Sequence, residues 1–268
     1  MTHSGKFDIT LGTNMITDTK VVLSEEGRYL HEILAVPKTN SDSVVETLQR
    51  VEQDIEKLAS GQVAGIFILS ETAEVIEELL RTARKHGVEP KKIYELTPLL
   101  SRFDDPNKTS NIISKVMKDG GLVVVEATDS MEPFFKNRII HQFLQLFSTS
   151  TFQRPTEQRI PVYLTIQSSA AFQSQEMLRV FALGRSFHVG ICLIIDLFQD
   201  YNQNKFVLPN IRNYTAYYHE DPADREIIAK LLRVEPHLLG SDYFKPGTAY
   251  CRYYEPHQGV RECISIQP

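Results

Sequence analysis

Side-chain catalysis needs a nucleophile, a base or a metal held at short range, and few residues here have the spacing for it. The sequence has eight histidines. His86, His141, His188 and His219 stand far apart, and no H-x-x-x-H, C-x-x-C or G-x-S-x-G pairing occurs. Ser168-Ser169 follows an apolar run but lacks the flanking glycines that expose a serine on a nucleophile elbow. Asp129 and Glu132, in TDSMEP, read as a turn and a helix start rather than a carboxylate pair. Cys192, inside VGICLII, reads as a small core residue. Cys251 and Cys263 lie on facing segments, and one pair does not make a disulfide framework. These residues predict no catalytic set and no metal site.

The elements that would position chemistry are easier to read. HEILAV (31–36), AGIFIL (64–69), LVVVEA (122–127), PVYLTI (161–166) and VGICLII (189–195) are apolar throughout, as strands buried on both faces are. KIYEL is a short further strand. Helical patterns separate the strands. In SVVETLQRVEQDIEKLAS, Val44, Leu48, Val51, Ile55 and Leu58 share one face, and AEVIEELLRTARKHG closes on Gly87. NIISKVMKDGG, NRIIHQFLQLFSTS and SQEMLRVFALGR are further helices. This alternation predicts an α/β fold with a mostly parallel sheet. NYTAYY is then a strand, DPADREIIAKLLR a helix opened by Asp-Pro, and TAYCRYYEP with VRECISI a C-terminal β hairpin. The stretch 98–110 reads as the most loop-like interior segment, and residues 1–20 as a peripheral β segment or a partly mobile one. The expectation is one domain spanning 1–268.

The chain has 268 residues, 42% hydrophobic and 24% charged, enough material for a substantial core. It shows no charged-then-apolar leader and no apolar run near the roughly 18 residues that a membrane span requires, so a cytoplasmic protein is expected. A formal net charge of −5 argues against autonomous nucleic-acid binding. Arg81, Arg84, Lys85, Lys91 and Lys92 read as a solvated helix face and its exit.

Five segments in order resemble the motor domain of the HerA/FtsK/TraG group, which includes the coupling proteins of type IV secretion. In that group a strand beginning with His leads into a phosphate loop of the form H-x-x-x-x-G-P-T-G-S-G-K-S. Here His31 is followed by EILAVPKTNSDS, which keeps Pro37 and Ser43. Val36 replaces the first glycine, Lys38, Thr39 and Asn40 fill the middle, Ser41 replaces the last glycine, and Asp42 replaces the lysine. The group's next strand often ends in a D-P-K-G-E-like turn, of which SETAE (70–74) keeps Glu74. Its acidic Walker B strand corresponds to PVYLTIQSSA, with Gln167 at the magnesium-associated Asp and Ser168 at the catalytic Glu. GRSFHVGICLIID keeps Gly184, Arg185 and Gly190 and has Asp196 at the sensor Gln. In LPNIRNYTAYYHEDPADREIIAKLL, Asp221, Asp224 and Ala229 fit the last pattern. The resemblance covers roughly 20–235 and implies a three-layer RecA-like P-loop fold.

The substitutions remove what the resemblance implies. A phosphate loop uses glycines to wrap backbone N–H groups around phosphate, a lysine to neutralise it and a hydroxyl to hold magnesium. Val36 disfavours the positive φ that glycine supplies. Asp42 puts a like charge near the phosphates, which costs on the order of 4 kcal/mol at 4 Å and an effective dielectric of 20. Ser43-Val44-Val45-Glu46 also fits a capping box, which gives Ser43 a purely structural role. Gln167 and Ser168 supply neither metal anchor nor general base.

The expectation is a non-catalytic scaffold or adaptor of a DNA-translocation or secretion-type assembly, without cofactor. Its partner would be a protein, such as an active motor ATPase, a secretion-assembly subunit or further copies of itself. Two alternatives stand beside it: a composite-site ATPase completed by another chain, and an unrelated small-molecule α/β enzyme. Arg185 is either an interface residue or a helix-terminal Arg complementing the dipole. Phe198 and Tyr201, in LFQDYNQNKFVLPN, are interface candidates or rings packed on their own domain.

Overall fold

The computed structural model describes residues 7–36, 40–102, 106–168, 174–196, 208–240, 244–255, 259–260 and 264–267. The chain divides into two compact units: Met1–Ser43 with Leu193–Pro268, and Val44–Cys192. It opens with β1 (Ile9–Asn14), β2 (Lys20–Leu23), α1 (Glu25–Arg28), β3 (Glu32–Val36) and α2 (Asn40–Ala59). Next come β4 (Gly65–Ser70), α3 (Ala73–Lys85), β5 (Ile93–Glu95), α4 (Thr97–Arg102), α5 (Pro106–Asp119) and β6 (Gly121–Glu126). These lead to α6 (Pro133–Gln153), β7 (Val162–Gln167), α7 (Gln175–Leu183) and β8 (Val189–Asp196). The last elements are β9 (Asn213–Tyr217), α8 (Pro222–Leu232), β10 (Ala249–Arg252), β11 (Tyr254–Glu255), β12 (Gly259–Val260) and β13 (Ile264–Gln267).

In the unit Val44–Cys192, four strands run parallel in the order β7-β4-β6-β5. Gly65 sits opposite both Val162 and Gly121, and Ser70 opposite both Gln167 and Glu126. Strand alternation sends Ile66, Ile68, Leu122 and Val124 to one face. There they pack against Val51, Ile55 and Leu58 of α2 and Val75, Ile76, Leu79, Leu80 and Ala83 of α3. On the other face Phe67 meets Phe147 of α6 edge-on, with ring centroids 5.1 Å apart. Helices thus cover both faces and make three layers, which is why these strands carry no polar alternation.

The glycine pair after α5 has a geometric cause. Gly120 and Gly121 both take positive φ (80° and 147°), and a Cβ on Gly121 would lie 2.8 Å from the Lys92 carbonyl oxygen. A side chain there would collide with backbone, so the turn into β6 requires glycine.

The other unit has its strands in the order β2-β1-β13-β10-β9-β3. β3 and β9 are parallel, whereas β9, β10, β13, β1 and β2 pair antiparallel in turn. β10 and β13 are the expected C-terminal hairpin partners, with Cys251 opposite Ile264. Asn213 anchors the start of β9. Its Nδ2 donates to the carbonyls of Gly27 (2.8 Å) and His31 (3.0 Å), and its Oδ1 accepts the Tyr254 N–H at 2.9 Å. Asp221 caps α8 by accepting the Ala223 N–H at 2.8 Å, with Pro222 in the first turn as Asp-Pro predicts.

Two local readings need correction. The stretch 98–110 is largely helical, because α4 and α5 start on Thr97-Pro98 and Pro106, and proline is pre-organised for a first helical turn. Ser43 does not cap α2, since that helix begins three residues earlier at Asn40. Asn40, Ser41 and Asp42 occupy the first turn, where N–H groups have no intrahelical partner and polar residues are well tolerated.

Candidate functional site

The degenerate phosphate loop joins β3 to α2. Val36 is the last residue of β3 and is buried, at 4% exposure, where the resembling loops place a glycine. Pro37, Lys38 and Thr39 lie outside the described residues. Asn40, Ser41, Asp42 and Ser43 form the start of α2. A helix N-terminus attracts anions through its free N–H groups and its dipole. This turn carries Asp42 where the resembling loops carry a lysine. His31 enters β3 buried and in a left-handed backbone conformation, with φ at 58°.

Gln167 and Ser168 belong to the other unit, at the C-terminal ends of its parallel strands, where open α/β sheets bind ligands. Gln167 closes β7, and Ser168 is buried. The hydroxyl of the fully buried Ser70 donates to Gln167 Oε1 at 2.7 Å and accepts the Thr72 N–H at 3.0 Å. The Gln167 carbonyl oxygen of the main chain accepts the Glu71 N–H at 3.3 Å. Gln167 is therefore a neutral side chain already engaged by its neighbouring strand. Magnesium is usually held through carboxylates and phosphates, and a carboxamide brings it no charge.

The carboxylate beside it is also committed. Lys136, on the first turns of α6, places its Nζ 2.6 Å from Glu71 Oε2 and 2.5 Å from Asp129 Oδ1. Its side chain is only 15% exposed. Burial alone would lower the lysine pKa, but hydrogen bonds to Asp129 and Glu71 outweigh it and hold the ammonium above its ordinary range. Glu132 caps α6 by accepting the Phe135 N–H at 3.2 Å. Asp129 lies in a turn and Glu132 starts a helix, as TDSMEP suggests, and Asp129 also joins the ion pair with Lys136.

Arg185 lies exposed on a short 3-10 turn, Gly184–Phe187, directly before β8. Phe198 and Tyr201 lie outside the described residues, as do Ser169 and Cys263. Cys251 is buried and Cys192 half-buried. Four of the five residues of the basic cluster are paired with carboxylates: Arg81 with Glu78, Arg84 with Glu95 at 3.9 Å, and Lys91 and Lys92 with Glu89 at 2.7 and 3.5 Å.

Two groupings escape sequence reading. Lys136 meets Glu71 across 65 residues, and His86 of the α3 C-cap meets Glu52 and Glu56 of α2. The spacing of Glu52 and Glu56 is a signal in itself, since residues four apart share a helix face. No spacing rule supplies the histidine from another helix.

A parallel sheet covered by helices on both faces, with β3 followed by α2 at the phosphate-loop position, defines an α/β fold of the RecA-like P-loop type. Comparison with solved structures finds this fold in several NTPases. Neither protein-family models nor curated proteins match the sequence. The bacterial conjugative coupling protein TrwB superposes with a TM-score of 0.59 at 12% identity, covering 96% of this chain and 89% of that one. The genome packaging NTPase B204 from Sulfolobus turreted icosahedral virus 2, in complex with AMPPCP, gives 0.51 at 14% identity over 89% and 97%. The cytoplasmic domain of the type VII secretion ATPase EccC from Thermomonospora curvata gives 0.50 at 10% identity, over 98% of this chain and 28% of that one. Among the described residues, no helix is long and apolar enough to cross a membrane.

Proposed function

We propose that this chain is a non-catalytic, P-loop-ATPase-like subunit that acts as scaffold or adaptor in a DNA-translocation or secretion-type assembly. The observation that carries the reading is at the end of β7. Gln167 stands at the acidic Walker B position and is tied to Ser70, while the adjacent Glu71 is neutralised by Lys136. Val36 and Asp42 remove the loop geometry and the cation together. Proteins of similar fold include a packaging NTPase and a conjugative coupling protein, which suggests the kind of assembly. In this reading residues 1–268 act as one cytoplasmic domain, take no nucleotide cofactor and do not grip nucleic acid alone. The partner is an active motor ATPase, a secretion-assembly subunit or further copies of the chain. Arg185, which is exposed, and Phe198 and Tyr201 are the residues proposed to contact it.

The reading makes a specific prediction for Asp42→Lys. Restoring the loop's cation is expected to give no magnesium-dependent ATP hydrolysis above background. The metal anchor and the general base are still absent, and catalytic groups that act as a unit do not contribute additively. A phosphate-release assay decides it. Magnesium-dependent turnover in this single variant would show that the chain retains a working site.

A further inference from the structure

A second grouping of chemistry lies away from the strand ends, on the surface of the helical layer formed by α2 and α3. Val51, Ile55 and Leu58 bury the inner face of α2 against Leu79 and Ala83 of α3. Glu52 and Glu56 each follow one residue after a buried position, so the packing that fixes this seam also fixes their common edge. α3 ends at Lys85, His86 forms its C-cap, and Gly87 reverses the chain at a φ of 82°. The Val88 N–H closes this turn on the Ala83 carbonyl at 2.9 Å. The imidazole is thereby brought to the two carboxylates. His86 Nε2 lies 3.4 Å from Glu52 Oε1 and 3.8 Å from Glu56 Oε1. One donor atom from each residue lies within 4.8 Å of the others.

The distances fit an ion held between these atoms. Two ligands about 2.1 Å from a tetrahedral ion are roughly 3.4 Å apart, so the three donors need little movement to share one. The charges fit as well, because two carboxylates and a neutral imidazole balance a dication. An ion pair alone explains the arrangement less completely. A ring nitrogen carries one N–H, which serves one carboxylate well, yet two converge on it.

We propose that Glu52, Glu56 and His86 form a three-ligand site for a divalent transition-metal ion, zinc above all, that staples α2 to α3. One imidazole nitrogen with two carboxylate oxygens suits borderline first-row ions, whereas magnesium and calcium prefer all-oxygen shells. The three side chains are 24–54% exposed, which leaves solvent free to fill a fourth position. Glu52 also lines a groove of about 460 Å³ between the two helices, with Gln49, Glu78 and Thr82. This site is independent of the phosphate-loop reading and stands or falls without it.

The test uses the full chain after dialysis against a chelator. Zinc is expected to raise the melting temperature, and cobalt(II) to bind at one equivalent with the visible absorption of a tetrahedral complex. His86→Ala and Glu56→Gln should each weaken cobalt binding at least tenfold, and magnesium should produce none of these effects. Glu56 is exposed, so Glu56→Gln keeps the test decisive should His86→Ala fold poorly. Unchanged cobalt affinity in Glu56→Gln, equal stabilisation by magnesium, or no saturable binding by the native chain would each overturn the site.

Discussion

Phe147→Ala is expected to cost about 3–5 kcal/mol of folding stability, the range for truncating a fully buried phenylalanine. Phe147 is at 0% exposure on α6. Its ring lies 5.1 Å from that of Phe67 on β4 and 6.1 Å from that of Phe143. The truncation removes an edge-to-face aromatic contact and leaves a cavity between helix and sheet that neighbours only partly refill. A typical domain holds about 5–15 kcal/mol in total, so the transition should move far toward lower denaturant with its slope little changed. Urea unfolding measures this. A loss below about 1 kcal/mol would mean that α6 does not cover this face of the sheet, and the helix that presents Lys136 to Glu71 would then need another anchor.

The second large effect is on association rather than folding. In the proposed function, Phe198 and Tyr201 anchor a protein contact, and central aromatic anchors commonly cost 2 kcal/mol or more on truncation. The double change Phe198→Ala with Tyr201→Ala should therefore weaken self-association or partner capture by about thirtyfold or more, while the melting temperature stays nearly constant. Sedimentation of the purified chain and co-purification of its partner read the first effect, and a thermal melt reads the second. Unchanged association with several kcal/mol of lost stability would place both rings in the chain's own core and remove them from the contact face.

The strands were legible because burial on both faces forces uninterrupted apolar runs, as in Gly65–Ser70 and Gly121–Glu126. The inner face of α2 was legible for a related reason, since Val51, Ile55 and Leu58 repeat at the helical period. Local chemistry misled where two signals competed. Thr97-Pro98 and Asp105-Pro106 resemble loop punctuation, yet each proline sits at a helix start. The run Ser43–Glu46 has the letters of a capping box, but α2 gains a further turn from Asn40 onward. At the site, the reversal of charge at Asp42 and the missing carboxylates at Gln167 and Ser168 can be read directly from residue type, given the resemblance. What occupies the vacated chemistry cannot, because it depends on strand register. Ser70 reaches Gln167 only because β4 and β7 align those two residues side by side. The Lys136 and His86 groupings are hidden for the same reason, since each joins segments that only the packed fold brings together.

Titration of the native chain with magnesium-ATP in a calorimeter decides whether its chemistry has been lost. In the proposed function, Val36 denies the loop the freedom of a glycine, Asp42 repels phosphate, and Gln167 offers magnesium no charge. No saturable heat is therefore expected with nucleotide in the micromolar range. A micromolar dissociation constant would contradict the non-catalytic reading and show that these three substitutions leave a nucleotide site intact.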